Sequence, residues 1–226
     1  MCGRFTLTST PRRLRDRFAL AAAPEDVVPR YNIAPSQDVL VVANRAQRLL
    51  RPARWGLVPW WSKTPSGGNR MINARVETLA QRAPFRELLE RQRCAIPADG
   101  FYEWRRVDKK TRQAFYLRGR DGAPLALAGL WDVWRDPQGE KLASCAIITV
   151  PANGAVSPIH DRMPAILSDA ALDAWLDPAP TPALQLTPWL EPSPDDWLDA
   201  YPVSSWVNTP DHDDPQCIAP VEIPAT

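Results

Sequence analysis

The sequence predicts an α+β fold in which a mainly antiparallel sheet or barrel carries helices on its outside. Its 226 residues, 45% hydrophobic and 23% charged, suit one globular domain with a sizeable core. Extended segments dominate the middle of the chain, and three stretches have the caps and periodicity of helices. We therefore expect one compact domain spanning residues 1–226.

Six extended segments are expected to supply the strands. Residues 94–105 alternate in polarity around Gly100, a predicted bulge, and Arg120, Asp121 and Gly122 give a hairpin turn signal between two further segments. Residues 142–150 form an apolar run that fits a buried strand. The predicted strands are 38–42, 51–58, 94–105, 114–118, 124–131 and 142–150.

Three helices are predicted from their boundaries. Thr10 can cap a helix over 11–18 with Pro11 at its first position, and Ser168 can cap another over 169–176. An amphipathic helix over 76–91 is expected to be interrupted at Pro84. The proline-rich acidic stretch 177–196 is interpreted as an internal connection.

The charges are unevenly distributed along the chain. All 27 Lys and Arg lie in residues 1–162 with 15 acids, whereas residues 163–226 contain 11 acids and no Lys or Arg. The first part could present a basic face to a polyanion, or the acidic tail could pack across it and neutralise it. Charge alone leaves both alternatives open.

Several protein classes are disfavoured. No apolar run approaches the roughly 18 residues of a membrane span, and the N-terminal region carries arginines where a signal peptide has an apolar core. Four cysteines without a CxxC pair, and only two histidines, give no metal-site or disulfide pattern. We expect a cytoplasmic monomer, nucleoid-associated if the cell is bacterial, with no membrane contact, metal or cofactor.

Polar residues in four stretches suggest chemistry. Cys2 directly follows Met1, so removal of Met1 would create an α-amine and a thiol on one residue. Glu103, between Tyr102 and Trp104, should be partly buried, with either a raised pKa or a structural ion pair to an arginine. The four stretches are CGRF (2–5), INARVET (72–78), ADGFYEW (98–104) and SPIHDRMP (157–164).

The remaining candidate residues each have an ordinary alternative. His160 could be a surface or hydrogen-bonded structural histidine, and Asn73 could cap the following helix. Trp60 and Trp61 follow Pro59 in a loop that could offer aromatic faces to nucleic-acid bases, or they could belong to the core.

Taken together, these motifs resemble the SOS response-associated peptidase (SRAP) family, whose proteins shield abasic sites in single-stranded DNA by covalent attachment. The resemblance extends over residues 1–209 and implies an α+β pseudo-barrel with peripheral helices. The matching stretches are MCGRFT, RYNIAPSQ, RWGLVPWW, MINARVET, CAIPADGFYEW, IHDRMPAIL and PVSSWVNTP.

The resemblance implies a catalytic set of Cys2, Asn73, Glu103 and His160. Freed of Met1, Cys2 would capture the aldehyde of an abasic sugar as a Schiff base and then as a thiazolidine, while Glu103 manages protons and His160 assists at the sugar oxygen. Asn73 would hold the sugar or the amine. Abasic-site lyase activity and self-removal of Met1 are also implied.

The same resemblance implies a DNA-binding set and leaves rivals open. Arg4, Arg75 and Arg162 would contact phosphates, Trp60 and Trp61 would stack on bases, and Asn32 is the sixth residue of the set.

Two other functions remain open. A glutamine amidotransferase with an N-terminal nucleophile also begins Met-Cys-Gly, and a non-covalent single-strand-binding module would make Cys2 incidental. The covalent interpretation further requires an open path to the Cys2 sulfur.

Overall fold

A computed structural model of the protein describes residues 2–22, 26–65, 68, 71–81 and 83–222. Within them the strands are β1 (Phe5–Leu7), β2 (Arg30–Ile33), β3 (Asp38–Ala43), β4 (Leu50–Trp55), β5 (Asn73–Arg75), β6 (Arg93–Ala98), β7 (Gly100–Arg106), β8 (Arg112–Gly119), β9 (Leu125–Arg135), β10 (Lys141–Pro151), β11 (Arg162–Pro164) and β12 (Leu198–Pro202). The helices are α1 (Pro11–Phe18), α2 (Val76–Leu79), α3 (Ala83–Arg91), α4 (Asp169–Trp175) and α5 (Ala183–Leu186), with short 3₁₀ helices at Thr187–Trp189, Asp195–Trp197, Ser205–Asn208 and Pro215–Ile218.

Five strands close into a barrel in the order β10-β4-β3-β6-β9, and β9 pairs back with β10. Most residues of the two longest strands, β9 and β10, are buried, and the buried residues follow one another without alternation, so both faces of each strand are covered. The pairs are antiparallel except β10 with β4, and the short β5 also runs parallel to β10. The expected α+β pseudo-barrel in a single compact domain is confirmed, with a mixed rather than fully antiparallel barrel.

Five further strands form an antiparallel sheet, here called sheet A, in the order β12-β8-β7-β1-β2, while the short β5 and β11 pair with β10 of the barrel. The chain passes from the barrel into sheet A between β6 and β7. Gly100 begins β7 there because a Cβ atom would lie 2.5 Å from the Leu117 carbonyl oxygen and the Tyr116 ring. The predicted single strand 94–105 with a bulge is therefore wrong: it is two strands in two sheets.

Two other expectations need correction. The turn at residues 120–122 forms, with Gly122 at a φ of 69°, but it joins β8 of sheet A to β9 of the barrel, so no hairpin results. The helix expected over 76–91 is divided into α2 and α3. Pro84 lies in the first turn of α3, where proline is tolerated, rather than at the interruption.

The predicted helix caps and the predicted connection 177–196 agree better with the structure. Thr10 caps α1 by accepting from the Arg13 N–H, and Ser168 caps α4 by accepting from the Ala171 N–H at 3.2 Å. The connection 177–196 contains α5 and packs through the buried Leu186 and Leu190. No helix among the described residues is long and apolar enough to cross a bilayer.

The acidic tail does pair with part of the basic region. Four aspartates after residue 162 form salt bridges with arginines from the first 162 residues. The pairs are Arg17–Asp169, Arg30–Asp213, Arg48–Asp173 and Arg120–Asp199.

Candidate active site and nucleic-acid interface

The four residues predicted to be catalytic come from distant parts of the chain and meet between sheet A and the barrel. Cys2 precedes β1, Glu103 lies in β7, Asn73 begins β5, and His160 lies in the turn between β10 and β11. The Asn73 Nδ2 atom donates a 2.9 Å hydrogen bond to the Cys2 carbonyl oxygen. The His160 Nε2 atom lies 3.8 Å from the Glu103 Oε2 atom.

Strand pairing in sheet A places Cys2 beside Glu103. β1 and β7 are antiparallel with Phe5 opposite Phe101, and the Tyr102 N–H donates to the Arg4 carbonyl oxygen at 3.0 Å. Continuing that register brings the residues before β1 alongside Glu103. The site therefore depends on a three-residue strand that has no partner near it in sequence.

Glu103 is the buried ionisable group of the site, with 2% of its surface exposed. Burial raises the pKa of this carboxyl to about 7, and the negative charge of Asp161 adds to the shift. At neutral pH both its protonated and its ionised forms are populated. A group in that condition can accept a proton in one step and return it in the next.

His160 is held in one tautomer by the backbone. Its Nδ1 atom accepts a 3.0 Å hydrogen bond from the Arg162 N–H, which can only donate. Although Asp161 Oδ1 also lies 3.0 Å from Nδ1, the neutral ring must carry its proton on Nε2, the atom that faces Glu103. Partial burial lowers the pKa of His160 and so favours the neutral ring.

Cys2 has no exposed surface in a chain that still begins with Met1, a residue outside the described part. Burial raises the pKa of its thiol, and the neighbouring Glu103 carboxylate adds to the effect. The thiol is therefore protonated at neutral pH. The open path to the sulfur that the sequence interpretation requires is not present in this form of the chain.

Asn73 offers one acceptor beside Cys2. Among the described residues its buried Oδ1 atom has no hydrogen-bond partner, although its Nδ2 atom is bonded to Cys2. The helix-cap alternative is wrong, since Arg75 occupies the N-cap position of α2. A buried acceptor left without a partner is costly unless a ligand or a changed terminus supplies a donor.

Glu103 and His160 line a cavity of about 490 Å³ that also exposes four residues not found by sequence reasoning. Among these, the Trp104 indole N–H donates to Asn208 Oδ1 at 2.7 Å, which fixes one wall. The four additional residues are Trp104, Lys110, Arg112 and Asn208. A larger cavity of about 740 Å³, lined by residues including Arg17, Leu125 and Trp197, contains none of the predicted site residues.

The aromatic pair predicted to stack on bases is exposed. Trp60 and Trp61 are 62% and 43% exposed and meet edge to face with ring centroids 5.6 Å apart. The buried Asp132 carboxylate fixes this loop by accepting from the Trp60 N–H at 2.9 Å. Exposed indoles on an anchored loop are suited to stacking rather than to core packing.

The three predicted phosphate-binding arginines differ in their surroundings. Arg75 is exposed. The Arg162 guanidinium is bound to both carboxylate oxygens of Glu77 and donates to the Thr149 carbonyl oxygen at 2.7 Å. Arg4 is engaged inside the protein, donating to Asn32 Oδ1 at 2.7 Å and to the Val207 carbonyl oxygen at 2.8 Å.

Asn32 does not reach the surface, so a direct DNA contact by this residue is not supported. It is fully buried, and its Nδ2 atom donates to the carbonyl oxygens of Val207, Thr209 and His212. Together with Arg4, Asn32 holds the segment 207–212 in place by hydrogen bonds. Asn208 of this segment lines the cavity. The role of Asn32 in this structure is to position that segment.

The family model for SOS response associated peptidase (SRAP) matches residues 1–210. The chain belongs to the SRAP family. As an SRAP member it is 42% identical over 221 residues to the abasic site processing protein YoqW of Bacillus subtilis, covering 96% of this chain and 99% of that one. It is 33% identical to the chicken abasic site processing protein HMCES, covering 99% of this chain and 79% of that one.

Solved structures share the SRAP fold seen here. A protein from Bacteroides thetaiotaomicron superposes with a TM-score of 0.86 at 23% identity, covering 98% of this chain and all of the other. A protein from Bordetella bronchiseptica gives a TM-score of 0.76 at 30% identity, covering 90% of this chain and all of the other.

Proposed function

We propose that this SRAP protein processes abasic sites in DNA by linking itself covalently, through Cys2, to the sugar aldehyde in a single strand. The observation that carries the proposal is the meeting of Cys2, Asn73, Glu103 and His160 at one place, in a chain whose relatives are named abasic site processing proteins. We expect it to act as a monomer in the cytoplasm.

Removal of Met1 is the first requirement. Hydrolysis of the Met1–Cys2 bond frees an α-amine with a reference pKa of about 7.7–8.0, so part of it is neutral at physiological pH. Cys2 is fully buried in the chain that begins with Met1, so the mechanism also requires that the sulfur become accessible in the shortened chain. The Asn73 Oδ1 atom, buried and lacking a partner among the described residues, can accept from the new amine.

The adduct forms in two steps. The amine nitrogen adds to the aldehyde carbon, and loss of water leaves a C=N bond. The thiol sulfur then adds to that carbon while its proton passes to the nitrogen, which closes a five-membered thiazolidine. Since the thiol is protonated at neutral pH, the amine acts first and the sulfur follows.

Glu103 and His160 would carry out the proton transfers in these steps. Glu103, with a pKa of about 7, can take the thiol proton and deliver it to the nitrogen. The Nε2–H of His160 lies on the cavity wall beside Glu103, where it can donate to the sugar oxygen during ring opening. Arg75 and Arg162 would bind flanking phosphates, with Trp60 and Trp61 stacking on neighbouring bases.

Denaturing gels and intact-protein mass spectrometry test the proposal. Protein lacking Met1 should form a heat- and detergent-stable adduct with an abasic oligonucleotide, and none with a tetrahydrofuran analogue that has no aldehyde. Cys2→Ala should form no stable adduct, whereas Cys217→Ala, which removes a buried thiol elsewhere, should react like the parent.

Two results would overturn the covalent mechanism. A Cys2→Ala protein that still forms the stable adduct would assign the attack to another nucleophile. Glutamine hydrolysis without any adduct would favour the amidotransferase alternative.

A further inference from the structure

The turn that joins β7 and β8 carries an uncompensated cluster of positive charge beside the site. Residues 105–112, here called the basic hairpin, contain five cations and one acid, Asp108. All of the cations except the half-buried Arg105 are exposed. They are Arg105, Arg106, Lys109, Lys110 and Arg112.

The single acid of the basic hairpin is used within the turn. The Asp108 carboxylate accepts from the N–H groups of Lys110 and Thr111 at 2.6 and 2.8 Å, and the Val107 N–H closes the loop on the Thr111 carbonyl oxygen. These bonds shape the tip of the hairpin. They place the carboxylate against backbone donors rather than against the cationic side chains.

Like charges also face each other across the hairpin. Arg106 and Arg112 are directly opposite in the register of β7 and β8. Like charges at such positions destabilise a sheet. In the described part of the chain no carboxylate lies within salt-bridge distance of either, nor of the other three cations, whereas the acidic tail pairs with Arg17, Arg30, Arg48 and Arg120 elsewhere.

The basic hairpin adjoins the reacting residues. Lys110 and Arg112 line the same cavity as Glu103 and His160. The exposed indoles lie on the other component of the fold, because Trp60 and Trp61 follow β4 of the barrel while the hairpin belongs to sheet A. The catalytic residues lie where these two components meet.

We propose that the basic hairpin binds backbone phosphates of the DNA strand on one side of the abasic nucleotide, opposite the flank that contacts Trp60 and Trp61. This inference rests on the proposed function and names a surface that the function does not require. A strand crossing the site would then contact indoles on the barrel side and cations on the sheet A side.

Binding of a single-stranded oligonucleotide with a central tetrahydrofuran analogue tests the surface without any covalent step. Lys110→Ala with Arg112→Ala should weaken binding about tenfold near 0.1 M salt. It should also reduce the slope of log affinity against log salt by about 1.4, at roughly 0.7 for each phosphate that the protein no longer neutralises. The control, Arg51→Ala with Arg86→Ala, removes two exposed cations from β4 and α3 and should leave both values unchanged.

One-sided substrates locate the bound phosphates. With DNA extending only 5′ or only 3′ of the analogue, the decrease in affinity caused by the hairpin variant should occur for one of the two substrates. Equal decreases for both substrates, or a decrease no larger than that of the control, would overturn the inference. Thermal unfolding verifies that both double variants are folded.

Failure of the proposed function gives a different result. Suppose that the hairpin variant binds the analogue more weakly than the parent, but that the parent never forms an adduct with abasic DNA. The covalent function is then wrong, and the proposed phosphate-binding surface is supported. If the parent forms the adduct but the hairpin variant binds DNA as tightly as the control variant, the phosphate-binding surface is wrong and the covalent function is supported.

Discussion

The residues predicted for the site include buried groups from sheet A and exposed groups from the barrel. Sheet A supplies Cys2 and Glu103, which are 0% and 2% exposed and whose pKa values are raised by burial. The barrel supplies Arg75 and the exposed indoles of Trp60 and Trp61, none of which is buried. His160, partly exposed and on the cavity wall, lies where the two meet.

This contrast separates chemistry from binding. Burial is the main cause that raises the Glu103 pKa toward neutrality, whereas phosphates and bases must be contacted at a surface open to a polymer. Substitution of the buried Glu103 should therefore change the rate of adduct formation, and substitution of the exposed groups on the barrel should change the affinity for DNA. Four measurements test that division.

The largest effect is expected from Glu103→Gln. The amide is nearly isosteric but cannot take up the thiol proton, so the rate of adduct formation should fall by about 10²–10⁴-fold, the usual range for general acid–base catalysis. Affinity for the tetrahydrofuran analogue should stay within about twofold of the parent, since a carboxyl that is almost fully buried makes no contact with a phosphate. A comparable decrease in affinity would show that Glu103 binds DNA and would break the division.

The same carboxyl should make stability depend on pH. Its folded pKa of about 7 lies above the ordinary value of 4.5, so ionisation is harder in the folded state and stability decreases as pH rises from about 4.5 to 7. Over that window the free energy of unfolding should fall by up to about 3 kcal/mol relative to Glu103→Gln, and the difference should be constant above it.

Urea unfolding at a series of pH values measures this difference. Glu87→Gln, which removes an exposed carboxylate on α3, should follow the parent profile and serves as the control. A parent protein whose stability relative to Glu103→Gln does not change between pH 4.5 and 7 would contradict the burial of an ionisable Glu103.

A smaller effect is expected on the barrel side. Trp60→Ala and Trp61→Ala should each weaken binding of the analogue by about 1–3 kcal/mol if each indole stacks on one base. The rate of adduct formation at saturating DNA should change little. Leu184→Ala, at another strongly exposed apolar position, controls for the smaller apolar surface, and an effect on rate rather than affinity would contradict the separation.

The sequence predicted the barrel better than sheet A. β9 and β10 are long apolar runs whose burial follows from their composition, and the caps of α1 and α4 are local. By contrast, the three-residue β1 and β5 form only because distant segments pair with them, so neither has a local signal. The change of sheets at Gly100 depends on close packing against Tyr116, which no alternation pattern contains.

The site shows the same limit. The residue types at Cys2, Asn73, Glu103 and His160 could be selected from motifs, but their proximity depends on strand register. The motifs could not distinguish an arginine at the surface from Arg4, which bonds internally to Asn32 and the Val207 carbonyl oxygen. The basic hairpin is a run of cations that begins two residues after Glu103, but the sequence does not show that it lines one cavity with the distant His160.

The smallest effect concerns a carboxylate that competes with DNA. Glu77 is bound to the Arg162 guanidinium, the group expected to contact a phosphate. Glu77→Gln should remove this competition and tighten binding of the analogue about twofold at low salt, because the Glu77 carboxylate is half exposed and ion pairs at the surface contribute about 1 kcal/mol or less. Arg162 should keep its place, since it also donates to the Thr149 carbonyl oxygen.

The control for this variant is Glu87→Gln, which makes the same charge change on an exposed surface of α3. If both variants tighten binding equally, the gain reflects net charge and not release of Arg162. If Glu77→Gln weakens binding instead, Glu77 positions Arg162 for the phosphate rather than competing with it. A gain confined to Glu77→Gln, and abolished as salt rises, would place Arg162 among the barrel-side groups that set affinity.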